Sequence, residues 1–503
     1  MADTPWTADA CSLVDAYRAG ERSPLEELEA TLAAIEHSDL NAFSHLDPER
    51  AREAARAADI TRPFGGVPVG IKELDLVAGW PATEASLVFR DRVARENSTM
   101  VDRLLGAGGG VPVGLTTASE FGGLNIGVTK LNGVTHNPWR RGRTTGGSSA
   151  GSAAAVAGAL VSIATGGDGG GSIRIPAAYT GLVGMKGTFG RIPRSPVSYS
   201  RPGTVVLGCL ARSVRDAARY FDVCAGYHPA DPSSLPDAGP WEANLGRSDL
   251  RRLRVAVLPS LGGVARVAPA VDDRVRQRAE KLIADTGMTP VDVELRLPNL
   301  AAHWMMGNLS TLIAELGDRW PRCAPEMTDE MATGAYMSQA LYNLQTAAAA
   351  ERMRLEATNA LGELFERTDI VIAATNPDVA FAADAWTSNP NKSFLDSARQ
   401  FRAAQVAMRG VLAGVRLTSS FVPSLPTRLL DAFARRAPDV VSMGALTMTS
   451  NLYGNPAISI PAGLVDGLPV GMQLLARHHE DALLFDLALA AQRVDPWPLV
   501  APR

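Results

Sequence analysis

The sequence predicts an α/β protein in which one large mixed β-sheet is surrounded by α-helices. Three observations lead there. Short apolar runs of strand length alternate with stripes of helical period through most of the chain. A figure of glycine, apolar residue, proline, valine and glycine recurs at Gly66–Gly70, Gly110–Gly114 and Gly467–Gly471, and each copy reads as a strand entered through a turn. The third copy lies near the far end of the chain, so distant segments contribute strands of one kind. A length of 503 residues alone would suggest two or three cores. The recurring figure argues instead for a single domain over residues 1–503 with one sheet.

The elements follow in order. Ser23-Pro24-Leu25-Glu26 combines a capping box with proline at the first helical position, and Leu25, Leu28, Leu32 and Ile35 form the apolar stripe behind it. A second helix covers about Glu49 to Asp59. From Thr61 to Pro193 short strands, glycine turns and helices alternate; Ser149 to Leu160 is alanine-rich and suits a tightly packed buried helix. Ser213 starts another helix, and the proline-rich stretch 226–250 reads as a surface connection. Leu253–Leu258 is a strand, Ala270–Asp285 a helix, and 300–368 mainly helical. Ile370–Ala374 and Asn455–Ile460 are buried strands, and Glu480–Arg493 closes the chain as a helix.

Composition excludes several function classes. A net charge of −4 with no basic run offers no footprint for nucleic acid or anionic lipid. Cys11, Cys209, Cys224 and Cys323 lack the paired spacing of a zinc site and read as buried thiols of a reducing compartment. The N-terminus shows no signal-peptide pattern, and no apolar run reaches the ~18 residues that span a bilayer. A cytoplasmic enzyme without metal or cofactor, monomeric or homodimeric, is the expectation.

The chemistry concentrates in two stretches of small residues, Gly146-Gly147-Ser148-Ser149-Ala150-Gly151-Ser152 and Gly166-Gly167-Asp168-Gly169-Gly170-Gly171-Ser172-Ile173-Arg174-Ile175-Pro176. Neither carries the Gly-Lys-Ser/Thr of a phosphate-binding loop. Gly147-Ser148-Ser149-Ala150-Gly151 matches a nucleophile elbow by letters. It follows the polar, basic Trp139–Thr145 rather than a buried strand, and the downstream His478-His479 reads as the solvated start of a helix. A Ser–Ser–Lys relay fits better. The chain has only five lysines against 44 arginines, and Lys72 lies inside the apolar run Val67–Glu73. In that relay Ser172 is the nucleophile, Ser148 carries the proton and Lys72 is the base. Lysine can be that base only when uncharged, so its pKa must fall well below the ordinary ~10.4, which burial in an apolar strand provides.

The stretch from about Pro63 to Pro193 resembles the amidase signature family of serine amidohydrolases. The resemblance rests on Gly146–Ser152, on Gly170–Ala177 placed so that Ser172 follows Ser148 by 24 residues, and on the Lys72 strand with Ala78-Gly79 and the Thr83/Ser86 loop. Gly454–Pro461 is similar to the family's last core strands. The resemblance implies an acyl-enzyme on Ser172, a cis peptide bond before Ser148, and an oxyanion hole made by the backbone N–H groups of Gly169, Gly170, Gly171 and Ser172. Gly147, Ser149, Asp168 and Arg174 then support the site, the last two as structural braces, and Lys186 is a packing residue. Gly167 and Gly169 stand where the family commonly has threonine, Ala150 where it has glycine, and Gly187 where it has proline. Three successive glycines before Ser172 predict a looser loop.

The implied reaction is hydrolysis of a carbonyl–nitrogen bond of a small molecule, an amide or a carbamate (urethane). Aryl amides and linear or cyclic oligoamides are candidate substrates, and esters should also be cleaved. The same signature occurs in the glutaminase-type subunit of tRNA-dependent amidotransferases, and a catalytically inactive relative is the remaining alternative. A variable region, 300–450, is expected to wall the substrate pocket. Within it Trp304, Met305, Met306, Trp320, Met327, Met331, Tyr336 and Met337 suit an adaptable apolar pocket or simple helical packing.

Overall fold

Local capping chemistry starts the N-terminal helices where the sequence places them. Ser23 Oγ accepts the Glu26 N–H, and the Glu26 carboxylate accepts the Ser23 N–H at 2.8 Å, which begins the helix Pro24–Glu36. The following helix, Pro48–Arg56, starts one residue earlier than expected, where Asp47 caps it and Pro48 opens it, and it ends at the Ala57 cap rather than at Asp59. The computed structural model describes residues 4–196, 203–298, 308, 310–384, 410, 414 and 444–502. The expectations at Trp304, Met305 and Met306, and those within 385–409 and 415–443, lie outside the described residues.

Among the described residues the strands are β1 (Phe43–Leu46), β2 (Pro68–Lys72), β3 (Val111–Thr116), β4 (Val128–Thr129), β5 (Gly133–Val134), β6 (Ile163–Asp168), β7 (Val183–Lys186), β8 (Val206–Ala211), β9 (Arg254–Val257), β10 (Thr289–Pro290), β11 (Ile370–Ala374), β12 (Ala457–Val465) and β13 (Leu468–Ala476). Eleven of these form one mixed sheet in the order β1-β3-β2-β6-β8-β7-β12-β13-β11-β9-β10, and β4 and β5 form a separate pair. The three copies of the glycine–proline figure supply β2, β3 and β13. The first two are parallel neighbours. The third pairs with β12 and β11, so the chain's end lies inside the same sheet.

Most central strands are buried along their whole length, which explains why they read as continuous apolar runs rather than alternating ones. In β8, Leu207, Cys209 and Ala211 belong to one buried cluster with Phe221 and Phe485, while Leu210 belongs to another with Val113 and Leu160. Successive side chains point to opposite faces, so the sheet separates two cores. The alanine-rich helix Ala150–Ala157 is buried throughout, as its small residues require. Residues 226–250 lack strands and long helices, carrying only a single short turn at Glu242–Asn244 and the start of another at Leu250. Farther on, the described helices Asp329–Leu341 and Leu344–Arg367 account for the helical character expected there. No described helix is long and apolar enough to cross a membrane, and the four cysteines are free and buried.

Candidate active site

Two parallel interior strands deliver the chemistry at their C-terminal ends. β2 and β6 run side by side in the same direction, and their C-terminal residues are Lys72 and Asp168. Crevices beyond the C-terminal ends of parallel strands are the usual place for a ligand in α/β proteins. The Lys72 backbone N–H donates to Thr165 Oγ1 at 2.8 Å, tying the two strands at this point.

The Lys72 side chain is 2% exposed. Its Nζ lies 2.8 Å from Ser148 Oγ, 2.9 Å from Ser149 Oγ and 3.3 Å from the Gly167 carbonyl oxygen. The amine therefore touches two serine hydroxyls, one expected as the proton carrier and one expected as support. Beneath it, Thr165 Oγ1 donates to Asp75 Oδ2 at 2.6 Å. Burial raises the Asp75 carboxyl, while the Thr165 hydrogen bond and the Lys72 charge act against that rise. This Asp75–Thr165 pair has no counterpart among the expected site residues. Glu73, the next residue in sequence, points elsewhere and accepts from Thr83 Oγ1 and Asn132 Nδ2, both at 2.7 Å.

The peptide bond Gly147–Ser148 is cis. A side chain at Gly147 would come within 2.6 Å of the Ile126 backbone nitrogen, so only glycine fits where the two segments meet. Ser172 is 3% exposed, and its carbonyl accepts the Ser149 N–H at 3.3 Å. Among the described residues, no hydrogen bond joins Ser148 Oγ to Ser172 Oγ. Hydrogen bonds of catalytic groups are often long before substrate binds and tighten in the complex.

The loop before Ser172 is pinned, not loose. Asp168 Oδ1 accepts the Gly171 N–H at 2.6 Å, and Asp168 Oδ2 accepts the N–H groups of Ile173 and Arg174 at 3.3 Å. Thr447 Oγ1 donates to the Gly170 carbonyl at 2.8 Å. Gly171 has φ +121°, and a side chain there would collide with Thr447 and Ile175. Glycine is therefore required twice over, by conformation and by space. The same contact corrects the expected oxyanion hole. The Gly171 N–H is committed to the Asp168 carboxylate, whose negative charge is the stronger acceptor. The N–H groups of Gly170 and Ser172 carry no protein hydrogen bond among the described residues.

Asp168 and Arg174 are both fully buried and pair through Nε–Oδ2 at 3.0 Å and Nη2–Oδ1 at 3.1 Å. Burial alone would raise the Asp168 carboxyl; the Arg174 charge and its hydrogen bonds, with that of Asn451, hold it well below the usual carboxylate range. The remaining Arg174 donors reach Ser450 Oγ (2.7 Å), Gln473 Oε1 (3.1 Å), the Thr447 carbonyl (2.8 Å) and Asn451 Oδ1 (2.7 Å). The helix Ala445–Tyr453 and β13 are thereby bolted to the Ser172 loop. The brace expected of these two residues is present, together with partners nearly 300 residues away in sequence. Lys186 is buried on the same side. Burial and the Arg174 charge push it down to about 7, against Asp168 and Asp481, and its Nζ donates to the Gly187 carbonyl at 3.0 Å.

A cavity of about 660 Å³ opens onto Lys72, Ser148, Gly167 and Gly169. The Cβ of a larger residue at position 167 would lie 4.0 Å from Lys72 Nζ, an ordinary contact. Among the described residues, Trp320, Met327, Met331, Tyr336 and Met337 do not line the cavity, and the helical-packing alternative fits those that cluster. Trp320, Met327, Met331 and Tyr336 pack with Phe89, Phe121 and Leu316 in an apolar cluster that meets the cavity at Phe121. From that region it is Glu315 that reaches the cavity wall.

Comparison with known proteins identifies the family of the chain. The Amidase family model matches residues 26–411. The chain is 31% identical to an acylamidase of Rhodococcus erythropolis, covering 94% of this chain and 93% of that protein. It is 30% identical to one of the subunits of the glutamyl-tRNA(Gln) amidotransferase of Chloroflexus aggregans, covering 96% and 95%. Among solved structures it resembles a bacterial aryl acylamidase of the amidase signature enzymes, with TM-score 0.82, 26% identity, and 97% and 96% of the two chains covered.

Proposed function

The chain belongs to the Amidase family, the amidase signature enzymes, and is a hydrolase of amide bonds; from that premise we propose that Ser172 is its nucleophile, Ser148 its proton carrier and Lys72 its base. The contact of Lys72 Nζ with Ser148 Oγ at 2.8 Å carries this reading. An uncharged Lys72 takes the Ser148 proton along that line as Ser148 takes the proton of Ser172. The Ser172 oxygen then attacks the carbonyl carbon. For this step the Ser172 hydroxyl turns toward Ser148 when substrate is seated. The N–H groups of Gly170 and Ser172 face the developing oxyanion, with Gly169 beside them, where pre-aimed donors stabilise charge as it forms. The tetrahedral intermediate collapses, and the departing amine takes its proton back through Ser148. Water attacks the acyl-Ser172 ester by the same relay and releases the acid. Every proton is returned within one turnover, so no metal or cofactor enters the scheme.

The proposal extends to carbamates, because a carbamate presents the same carbonyl–nitrogen bond to the same nucleophile. It further holds that the chain acts as one catalytic domain, in the cytoplasm, a placement supported by four free cysteines. A panel of p-nitroanilide, carbamate and short peptide-amide substrates at fixed pH tests the reading. Wild type is expected to turn over members of the panel, and Ser172→Ala to turn over none.

A second reading, the glutaminase-type subunit of a tRNA-dependent amidotransferase, is supported by the likeness to the Chloroflexus aggregans protein. Hydrolysis of the panel by the purified single chain, without tRNA or partner subunits, would exclude it.

A further inference from the structure

Asp75 is a buried carboxylate, 8% exposed, to which the proposed relay gives no task. Its place follows from the way the sheet ends. β2 pairs with β3 as far as Lys72, which stands opposite Thr116. The ladder between β2 and β6 stops earlier, at Val69 opposite Ile163 and Gly70 opposite Ala164. Beyond that point a side chain takes over from the backbone, and the Lys72 N–H donates to Thr165 Oγ1 at 2.8 Å. A hydroxyl has one hydrogen, and here it goes to Asp75 Oδ2 at 2.6 Å. The Asp75 N–H in turn donates to the Lys72 carbonyl at 2.7 Å. The circuit closes, with both backbone hydrogen-bonding groups of Lys72 in it.

The carbonyl of Thr165 is engaged as well. It accepts from Ser152 Oγ at 2.8 Å, and Ser152 Oγ meets Thr116 Oγ1 at 2.7 Å. Ser152 stands in the first turn of the helix Ala150–Ala157, just after Ser148 and Ser149 in the chain. Thr165 therefore holds the base strand with its side chain and the serine segment with its backbone. Thr116, Ser152 and Thr165 are fully buried, so water offers these groups no substitute partner.

We propose that Asp75 is a positioning residue for the base. Through Thr165 and through its own N–H it fixes the Lys72 backbone, so that the amine tip stays against Ser148 Oγ. Thr165 is the second positioning residue and joins that circuit to the segment that carries Ser148. Both act through Lys72. The inference rests on the catalytic reading above and deepens it, naming what holds the base of that same site.

The test is the second-order rate constant for labelling of Ser172 by a fluorophosphonate, with the probe in excess. Measured in this way, the constant does not depend on how much of a variant is folded. Asp75→Ala and Thr165→Val are each expected to label about 10- to 100-fold more slowly than wild type, the cost of a reacting group displaced by up to ~1 Å. Thr165→Ser keeps the hydroxyl and is expected to retain most of the wild-type rate. A residue that acts through another has no effect once that other is gone. Lys72→Ala/Thr165→Val and Lys72→Ala/Asp75→Ala should therefore label no more slowly than Lys72→Ala, whereas a loosened fold would slow them further.

Further slowing in either double variant overturns the proposal. So does an undiminished rate in Asp75→Ala or Thr165→Val, or a Thr165→Ser rate as low as that of Thr165→Val. Each of those results leaves the catalytic reading standing. Absence of label on Ser172 in wild type, or a wild-type rate in Lys72→Ala, counts against the catalytic reading itself and takes the proposal with it.

Discussion

Lys72 Nζ stands 2.8 Å from Ser148 Oγ and 2.9 Å from Ser149 Oγ, so one buried amine is shared by two adjacent hydroxyls. In the proposed relay the first hydroxyl passes the proton of Ser172. In the same proposal the second holds the amine tip in place.

A base that works only when uncharged makes the rate depend on pH with a definite sign. The kcat/KM of wild type is expected to rise from neutral toward mildly alkaline pH. Lys72→Ala should lose activity by about 10³-fold or more and lose that ascending limb, since general-base help of this kind is worth about 10²–10⁴. A Lys72→Ala profile that keeps the ascending limb would assign the base elsewhere.

Gly171→Ala tests the loop geometry. The added carbon would meet Thr447 and Ile175 at a φ that suits glycine alone, so the Ser172 loop must shift. A fall in kcat of about 100-fold is expected, with the far-UV spectrum unchanged. Steady-state kinetics on an anilide will show it, and undiminished kcat would mean the loop position is not critical.

Asp168→Asn tests the brace. Leaving Arg174 buried without its carboxylate should cost about 3–5 kcal/mol of stability, read by urea unfolding. Because the folded state holds the Asp168 carboxyl below its unfolded value, its contribution is full above the unfolded pKa of ~3.9. It is lost as pH falls through the folded value. The gap between wild type and Asp168→Asn should therefore be constant from pH 5 to 8 and narrow only in strong acid. A gap that closes near neutral pH would contradict the assignment.

Lys186 predicts a slope of the same sign in a higher pH window. Its folded pKa of about 7 lies below the unfolded value, so the unfolded chain binds the extra proton between about pH 7 and ~10.4. This residue makes stability rise with pH across that window, by up to about 1.4 kcal/mol per unit. Lys186→Met should flatten that rise when unfolding is followed at pH 7, 8 and 9. Parallel curves for the two proteins would refute it.

Much of this was legible in the sequence because it is local. Lys72 stands out in a chain of five lysines, and Ser148 and Ser172 sit in glycine-rich runs that have few other uses. The strand figure at 66–70, 110–114 and 467–471 foretold a sheet shared by both ends of the chain. What stayed hidden is long-range. Asp75 meets Thr165 across 90 residues, Arg174 meets Ser450 across 276, and Arg92 meets Glu315 across 223. No local pattern marks such pairs. The commitment of the Gly171 N–H to Asp168 was equally invisible, since four neighbouring donors look alike until the loop is folded. Composition left Met327 and Met331 open between pocket and helical packing, because methionine fills a core as readily as it lines a pocket, and the folded chain packs them.

The relay itself is tested most directly by the rate at which a fluorophosphonate labels the protein, with the modified residue located by peptide mass spectrometry. The account predicts a single label on Ser172, formed about 100-fold or more slowly in Ser148→Ala and in Lys72→Ala. Label on any other serine, or labelling of Ser172 at the wild-type rate in both variants, would contradict it.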